Sequence, residues 1–213
     1  MKKILQTNEK PARTTVQSGG VLRMIAKEIP LREIVTPKIK KILKEMSESL
    51  KSQSDGVAIA APQIGYSLRI FVVSGRVLKA ESSRSGSLEA EFAERGLSQA
   101  DGPRRNAPLV SGDSDPEQQT SDFKDLIFIN PKISKLSREK DWVPEGCLSV
   151  RPMYGKTFRS KKATVSAYDE NGKKFTRGAS GLLAQIFQHE TDHLDGILFI
   201  DHAKDVKAEA PIK

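Results

Sequence analysis

The stretch His189-Glu190-Thr191-Asp192-His193 sets two histidines four positions apart, with a glutamate directly after the first. On a helix, positions i and i+4 lie one above the other on the same face, so each imidazole can offer a nitrogen to one metal ion. Glu190 falls at the edge of that face, where it can reach a water on the metal without being a ligand. This is the H-E-x-x-H spacing of metal-dependent hydrolases. The plain alternative is a chance group of polar residues on a surface helix. The flanks oppose it: Leu182, Leu183, Ile186 and Phe187 lead in, and Leu194, Ile197, Leu198 and Phe199 follow. Such a helix should be mostly buried, and buried histidines need partners.

Two histidines leave a metal half-coordinated. The chain has one cysteine, Cys147, within Glu145-Gly146-Cys147-Leu148-Ser149. A lone cysteine makes no intrachain disulfide and says little about an oxidising compartment. A free cysteine usually serves as a small buried hydrophobe, and that reading stays open on the residue alone. As a thiolate beside two imidazoles it would leave one tetrahedral position for water, the catalytic rather than the structural pattern. The adjacent glycine permits close backbone approach. A third segment, Gly56-Val57-Ala58-Ile59-Ala60-Ala61-Pro62-Gln63-Ile64-Gly65, is dominated by small residues. Taken alone, it reads as a tightly packed loop before a strand.

In order, these three segments resemble the motifs of the peptide deformylases: G-x-G-x-A-A-x-Q, E-G-C-x-S and H-E-x-x-H. The resemblance extends to Val21-Leu22-Arg23, to Phe128-Ile129-Asn130-Pro131 and to His193-Leu194-Asp195-Gly196. It covers most of the chain outside roughly Arg76 to Asp122 and part of the N-terminus. One departure is clear: Ala58 stands where the family motif has its second glycine. An extended Ala58 is tolerable there, whereas a required positive φ would strain it. Alternation along Val57-Ala58-Ile59 predicts an Ala58 methyl turned away from the substrate, with Val57 and Ile59 sharing the other face.

The resemblance implies removal of the formyl group from the formyl-methionine terminus of nascent polypeptides. It implies Cys147, His189 and His193 as ligands of one divalent metal ion, Fe(II) in the cell, with Zn(II), Ni(II) or Co(II) able to occupy the site. It makes Glu190 the general base, and the Gln63 amide and Leu148 backbone N–H the oxyanion donors. On spacing alone Gln63 reads as a structural amide in a tight loop, and it is the resemblance that gives it the oxyanion role. Val57, Leu182 and Ile186 are candidates for the methionine pocket, or ordinary core. Glu145 is expected to pair with an arginine, Arg159 being the choice, and Asp192 to support the helix or a ligand. His202 reads as a surface histidine. Two other functions remain open: an H-E-x-x-H metallopeptidase whose third ligand lies downstream, and a non-catalytic ribosome-associated binding protein.

The 213 residues suffice for one sizeable core, and 37% hydrophobic content fits a core plus a polar insertion. No apolar run approaches the roughly 20 residues of a membrane span. The N-terminus turns polar too soon for a secretory segment, and an organelle transit peptide is not favoured, so the expected location is cytoplasmic. A net charge of +8 keeps a surface solvated; by the resemblance, a basic face toward ribosomal RNA is the sharper reading.

The elements that must position these residues follow from periodicity. Thr36-Pro37 opens a helix, with a capping hydroxyl and then proline in the first turn. Ile39, Ile42, Leu43, Met46 and Leu50 form its buried stripe. Leu68–Val73 and Leu126–Asn130 read as strands, the second broken by Pro131, with Ile133–Leu136 as its neighbour. Ala163–Tyr168 and Lys173–Arg177 flank an Asn171-Gly172 hairpin turn. Ser180 is placed to cap the helix that carries the histidines, and Gly196 to end it. The stretch of about 76–122, rich in Ser, Gly, Pro, Glu and Arg, reads as a mobile polar insertion with a short helix at Leu88–Leu97. The expected fold is α+β, with mostly antiparallel strands surrounding a central metal-binding helix, as a single catalytic domain over 1–213.

Overall fold

The computed structural model describes residues 2–7, 20–78 and 124–208. The chain divides into two compact units, Met1–Ser74 with Asp125–Lys213, and Gly75–Lys124. The expected insertion lies outside the described residues apart from 76–78, and its Leu88–Leu97 helix lies wholly outside them. All elements named below belong to the first unit.

The architecture is α+β, and the strands pair antiparallel. Strands β1 (Ala58–Ala60), β2 (Ile70–Val73), β3 (Leu126–Leu136), β6 (Lys162–Tyr168) and β7 (Lys174–Ser180) form a five-stranded sheet in the order β1-β2-β3-β6-β7. Strands β4 (Lys140–Gly146), β5 (Met153–Ser160) and β8 (Lys204–Ala208) form a second sheet in the order β4-β5-β8. Helix α1 spans Pro37–Lys51 and helix α2 spans Gly181–Leu194.

The buried stripe of α1 is as expected: Ile39, Ile42, Leu43, Met46 and Leu50 are all buried. They pack with Ile59, Ile70, Val72 and Ile129. Side chains of a strand alternate between faces, so Phe71, between Ile70 and Val72, points the other way. There it stacks on Phe128 at 4.4 Å, and Phe128 meets Phe187 of α2 edge-on at 5.2 Å. The middle of the sheet is thus covered on both faces, which explains an unbroken apolar β2.

Three local expectations are corrected. The Thr36 hydroxyl does not cap α1; it donates backward to the Glu33 carbonyl at 2.7 Å. Pro131 does not break β3. Asn130 takes a positive φ of 49° and the pairing with β6 shifts register between Ile129 and Lys132, so the missing N–H falls at an irregularity. The Asn130 side chain fixes this bend by donating to the Ile29 carbonyl and accepting from the Ile29 N–H. Ser180 occupies the N-cap position of α2 without a side-chain capping bond. Gly196 follows α2 at φ 75°, and a Cβ there would lie 2.7 Å from the Arg23 carbonyl oxygen. Among the described residues no helix is long and apolar enough to cross a membrane.

Candidate metal centre and catalytic cleft

Helix α2 is held against the second sheet by its own polar side chains. Gln188 exchanges two hydrogen bonds with the backbone of Ser160, both 2.9 Å, and Gln185 donates to the Pro144 carbonyl at 2.8 Å. These bonds set the end of β4, and the Cys147 loop after it, beside the histidines. Gly146 is needed at that junction: a Cβ would stand 2.5 Å from the Tyr154 ring. The close approach expected there is therefore an approach to an aromatic side chain.

Cys147, His189 and His193 come together, each offering one ligand atom, all within 4.8 Å of one another. Cys147 Sγ lies 3.2 Å from His193 Nε2. Donors around a tetrahedral ion with 2.1–2.3 Å bonds are separated by roughly 3.4–3.6 Å, so the three residues fit a metal. The thiol sulfur also accepts from the Ser149 N–H at 3.4 Å and the Gln63 Nε2 at 3.6 Å, contacts that suit a thiolate.

His189 presents Nδ1 to Glu145 Oε1 at 2.6 Å, which leaves its other nitrogen for the cluster. A carboxylate on the far nitrogen of a ligating histidine fixes ring orientation and tautomer. Glu145 is in turn held by Thr157 Oγ1 at 2.6 Å and by Arg159 through Nε and Nη2 at 3.0 and 2.8 Å. The expected Arg159–Glu145 pair is therefore present. Arg159 Nη1 also reaches Asp192 at 2.6 Å, giving Asp192 its supporting role. The pairing of β4 with β5 puts Glu145, Thr157 and Arg159 on one sheet face, where the helix covers them. Burial alone would raise the Glu145 carboxyl, but the hydrogen bonds from His189 and Arg159 outweigh it and hold it well below the carboxylate range. Burial opposes a charge on His189, yet its bonds to Cys147 and Glu145 raise it well above an ordinary histidine. His193 is lowered well below that value, first by burial and then by the neighbouring His189 charge.

Breaking this buried network has a measurable cost. Arg159→Met should lower stability at pH 7 by about 3–5 kcal/mol in urea unfolding, because Glu145 is left buried without its cation. A depressed carboxyl contributes stability that is full above its unfolded pKa of about 4.3 and is lost as the pH falls through its folded value. The difference between wild type and variant should therefore narrow on acidification.

Glu190 is 3% exposed and lines the cleft beside the cluster. Its Oε2 meets no hydrogen-bonding partner among the described residues. Burial, aided by Glu145 and Asp192 and opposed by His189, raises its carboxyl to about 7. A carboxyl poised there can take and return a proton near neutrality. Gln63 is held through Oε1, which accepts the Ala60 N–H at 2.7 Å, while Nε2 faces Ser149 Oγ at 3.2 Å and Cys147. The structural amide and the cleft-facing donor are thus one side chain. Leu148, Val57, Leu182 and Ile186 line the same cleft, of about 210 Å³.

Ala58 is a correction. It belongs to the cleft wall rather than turning from it, while Ile59 is fully buried in the α1 cluster. Its backbone is a regular strand with no positive φ. Sequence reasoning did not find Asp55, Arg151, Tyr154 and Gln185, which also line the cleft. None sits in a spacing pattern. His202 is a half-exposed histidine 3.8 Å from Asp192, outside the cluster, as expected.

A mixed fold of antiparallel sheets brings an H-E-x-x-H helix to face a cysteine, and Cys147, His189 and His193 form a group that could hold a metal ion. The family model of polypeptide deformylase matches residues 1–209. Peptide deformylase 2 of Clostridium acetobutylicum is 36% identical over 170 residues, covering 79% of this chain and 81% of that one. The peptide deformylase of Borreliella burgdorferi is 33% identical over 187 residues, covering 88% and 84%. The crystal structure of the Thermotoga maritima peptide deformylase superposes with a TM-score of 0.64 at 25% identity, covering 96% of this chain and 98% of that one. This chain belongs to the polypeptide deformylase family. It is an enzyme that removes the formyl group from nascent peptides, and its family is metal-dependent.

Proposed function

We propose that Cys147, His189 and His193 hold one divalent metal ion, on α2 as the central metal-binding helix of a single catalytic domain over residues 1–213. The observation that carries this reading is the convergence of one thiol and two imidazoles beside an unpartnered buried glutamate. A thiolate with two imidazoles suits iron(II) or zinc, and Fe(II) is the ion of this reading, with Ni(II) and Co(II) as substitutes. When bound, the ion lowers the pKa of water so that a nucleophile exists at neutral pH.

Glu190 takes the proton of the attacking water and passes it to the leaving amine. The Gln63 amide and the Leu148 N–H face the oxygen on which charge develops. Val57, Leu182 and Ile186 receive the methionine side chain. Strand β1 is the edge of its sheet, so the substrate backbone can pair with it as an added strand. The Ala58 methyl narrows this wall without straining the backbone. Because the Ala58 backbone is already an unstrained strand and a paired substrate meets β1 through its main chain, Ala58→Gly should change kcat/KM for a formyl-Met peptide by less than about tenfold; steady-state kinetics on the two proteins check it.

The metallopeptidase alternative needs a downstream third ligand. Among the described residues the group able to hold a metal is Cys147, His189 and His193, which supports the deformylase assignment. The same reading takes the enzyme as cytoplasmic, with the +8 charge chiefly keeping its surface solvated and contact with ribosomal RNA as the second reading. The test is an anaerobic assay of formyl-Met-peptide hydrolysis with defined iron or zinc loading. Activity that follows the metal supports the reading, and inactivity with either ion counts against it.

A further inference from the structure

An ion pair stands in the cleft wall away from the chemistry. Arg151 Nη2 lies 2.5 Å from Asp55 Oδ1, and the two side chains are 39% and 55% exposed. Asp55 precedes β1, and Arg151 follows the Cys147 loop. The pair therefore joins the two segments that supply the proposed substrate strand and the proposed third ligand. The reactive end of β1 is fixed, because Ala60 N–H is bonded to Gln63, which faces Cys147. A peptide that pairs with β1 and has its formyl end at Gln63 runs outward past Val57 and Gly56 to Asp55. Asp55 lies in the turn that leads into β1, and an extended substrate advancing about 3.3 Å per residue carries its third residue past the start of β1 toward that turn. The third residue of the substrate then arrives beside Arg151.

We propose that Arg151 is a specificity-determining residue that receives a carboxylate from the third residue of the substrate or from the C-terminus of a short peptide. The inference rests on the deformylase reading and on pairing along β1. A guanidinium has five N–H donors in a planar fork, and a bidentate carboxylate is its best partner. The bond to Asp55 uses a single donor atom, Nη2. An exposed ion pair of this kind contributes little net stability, so a substrate carboxylate can share or displace it at small cost. Asp55 then acts as a stand-in acceptor that keeps Arg151 extended over the cleft and lowers the preference for acidic substrates.

The test is kcat/KM of the metal-loaded full-length enzyme on four peptides. Formyl-Met-Ala-Asp-amide against formyl-Met-Ala-Asn-amide reads a side-chain carboxylate. Formyl-Met-Ala-Ala with a free C-terminus against its amide reads a terminal one. The wild type should prefer the carboxylate in at least one pair by about threefold to tenfold, and high salt should erode the preference. Arg151→Gln should bring both ratios to near one, the larger loss falling on the carboxylate member of each pair. Asp55→Asn should raise the ratios above wild type. Ratios near one in the wild type, or ratios unchanged in Arg151→Gln, overturn the proposal. A ratio that does not rise in Asp55→Asn overturns the exchange between Asp55 and substrate. Failure of the wild type on all four peptides is a different result and defeats the deformylase reading itself.

Discussion

Replacing Glu190 by glutamine should leave metal content near that of the wild type and lower kcat by about two orders of magnitude or more. The substitution keeps the shape of a side chain that is 3% exposed, so the cleft wall stays intact. It also keeps the three residues that form the candidate ligand group. What it removes is a carboxyl raised to about 7, chiefly by burial, whose second oxygen meets no partner among the described residues. The amide is isosteric and cannot ionise, so the variant avoids the cost of a buried charge and should be about as stable as the wild type, whereas a residue kept for structure would show a loss. Metal analysis, thermal unfolding and turnover of a formyl-Met peptide together separate these outcomes. Retained turnover would show that another group moves the proton. Loss of metal alongside turnover would show that Glu190 supports the ligands instead.

The candidate site was legible where chemistry is local in sequence. His189 and His193 share a helix face by spacing alone, and the helix forms where its apolar flanks require. Cys147 was legible only as a residue type in an unusual setting; its place 3.2 Å from His193 Nε2 depends on the pairing of β4 with β5 and on two glutamines of α2. Arg159 was found as a partner for Glu145 by charge. The bond from Glu145 to His189, separated by 44 positions, has no sequence signature, because it is made when the helix covers the second sheet. The Asp55–Arg151 pair is of the same kind, with 96 positions between its members. In the fold, periodicity located α1, α2 and the β6–β7 hairpin. It missed the continuity of β3 through Pro131, because a side-chain bond network at Asn130 overrides the usual cost of proline in a strand. The Thr36 cap failed for a related reason: its hydroxyl had a nearer acceptor in the preceding turn.

Replacing Cys147 by alanine should have the other large effect, and on a different quantity. Removing a partner that merely supports a metal ligand costs roughly 10–100-fold in metal affinity, and a residue that itself binds should cost more. Cys147→Ala should therefore lose most of its metal on dialysis under conditions where the wild type keeps a full complement. Its formyl-Met hydrolysis should fall with the metal. Stability should move less, since Cys147 is a small residue in a cluster with Val150, Leu198 and Phe199, and alanine fills most of its volume. The glutamate variant and the cysteine variant are thus distinguishable: the first keeps the ion and loses the proton transfer, the second loses the ion. Metal retained at wild-type level in Cys147→Ala would place the third ligand elsewhere and return weight to a metallopeptidase-like site. Metal lost from Cys147→Ala but kept in Glu190→Gln is the pattern that a site built from one thiol and two imidazoles requires, with the glutamate beside it free to act as the base.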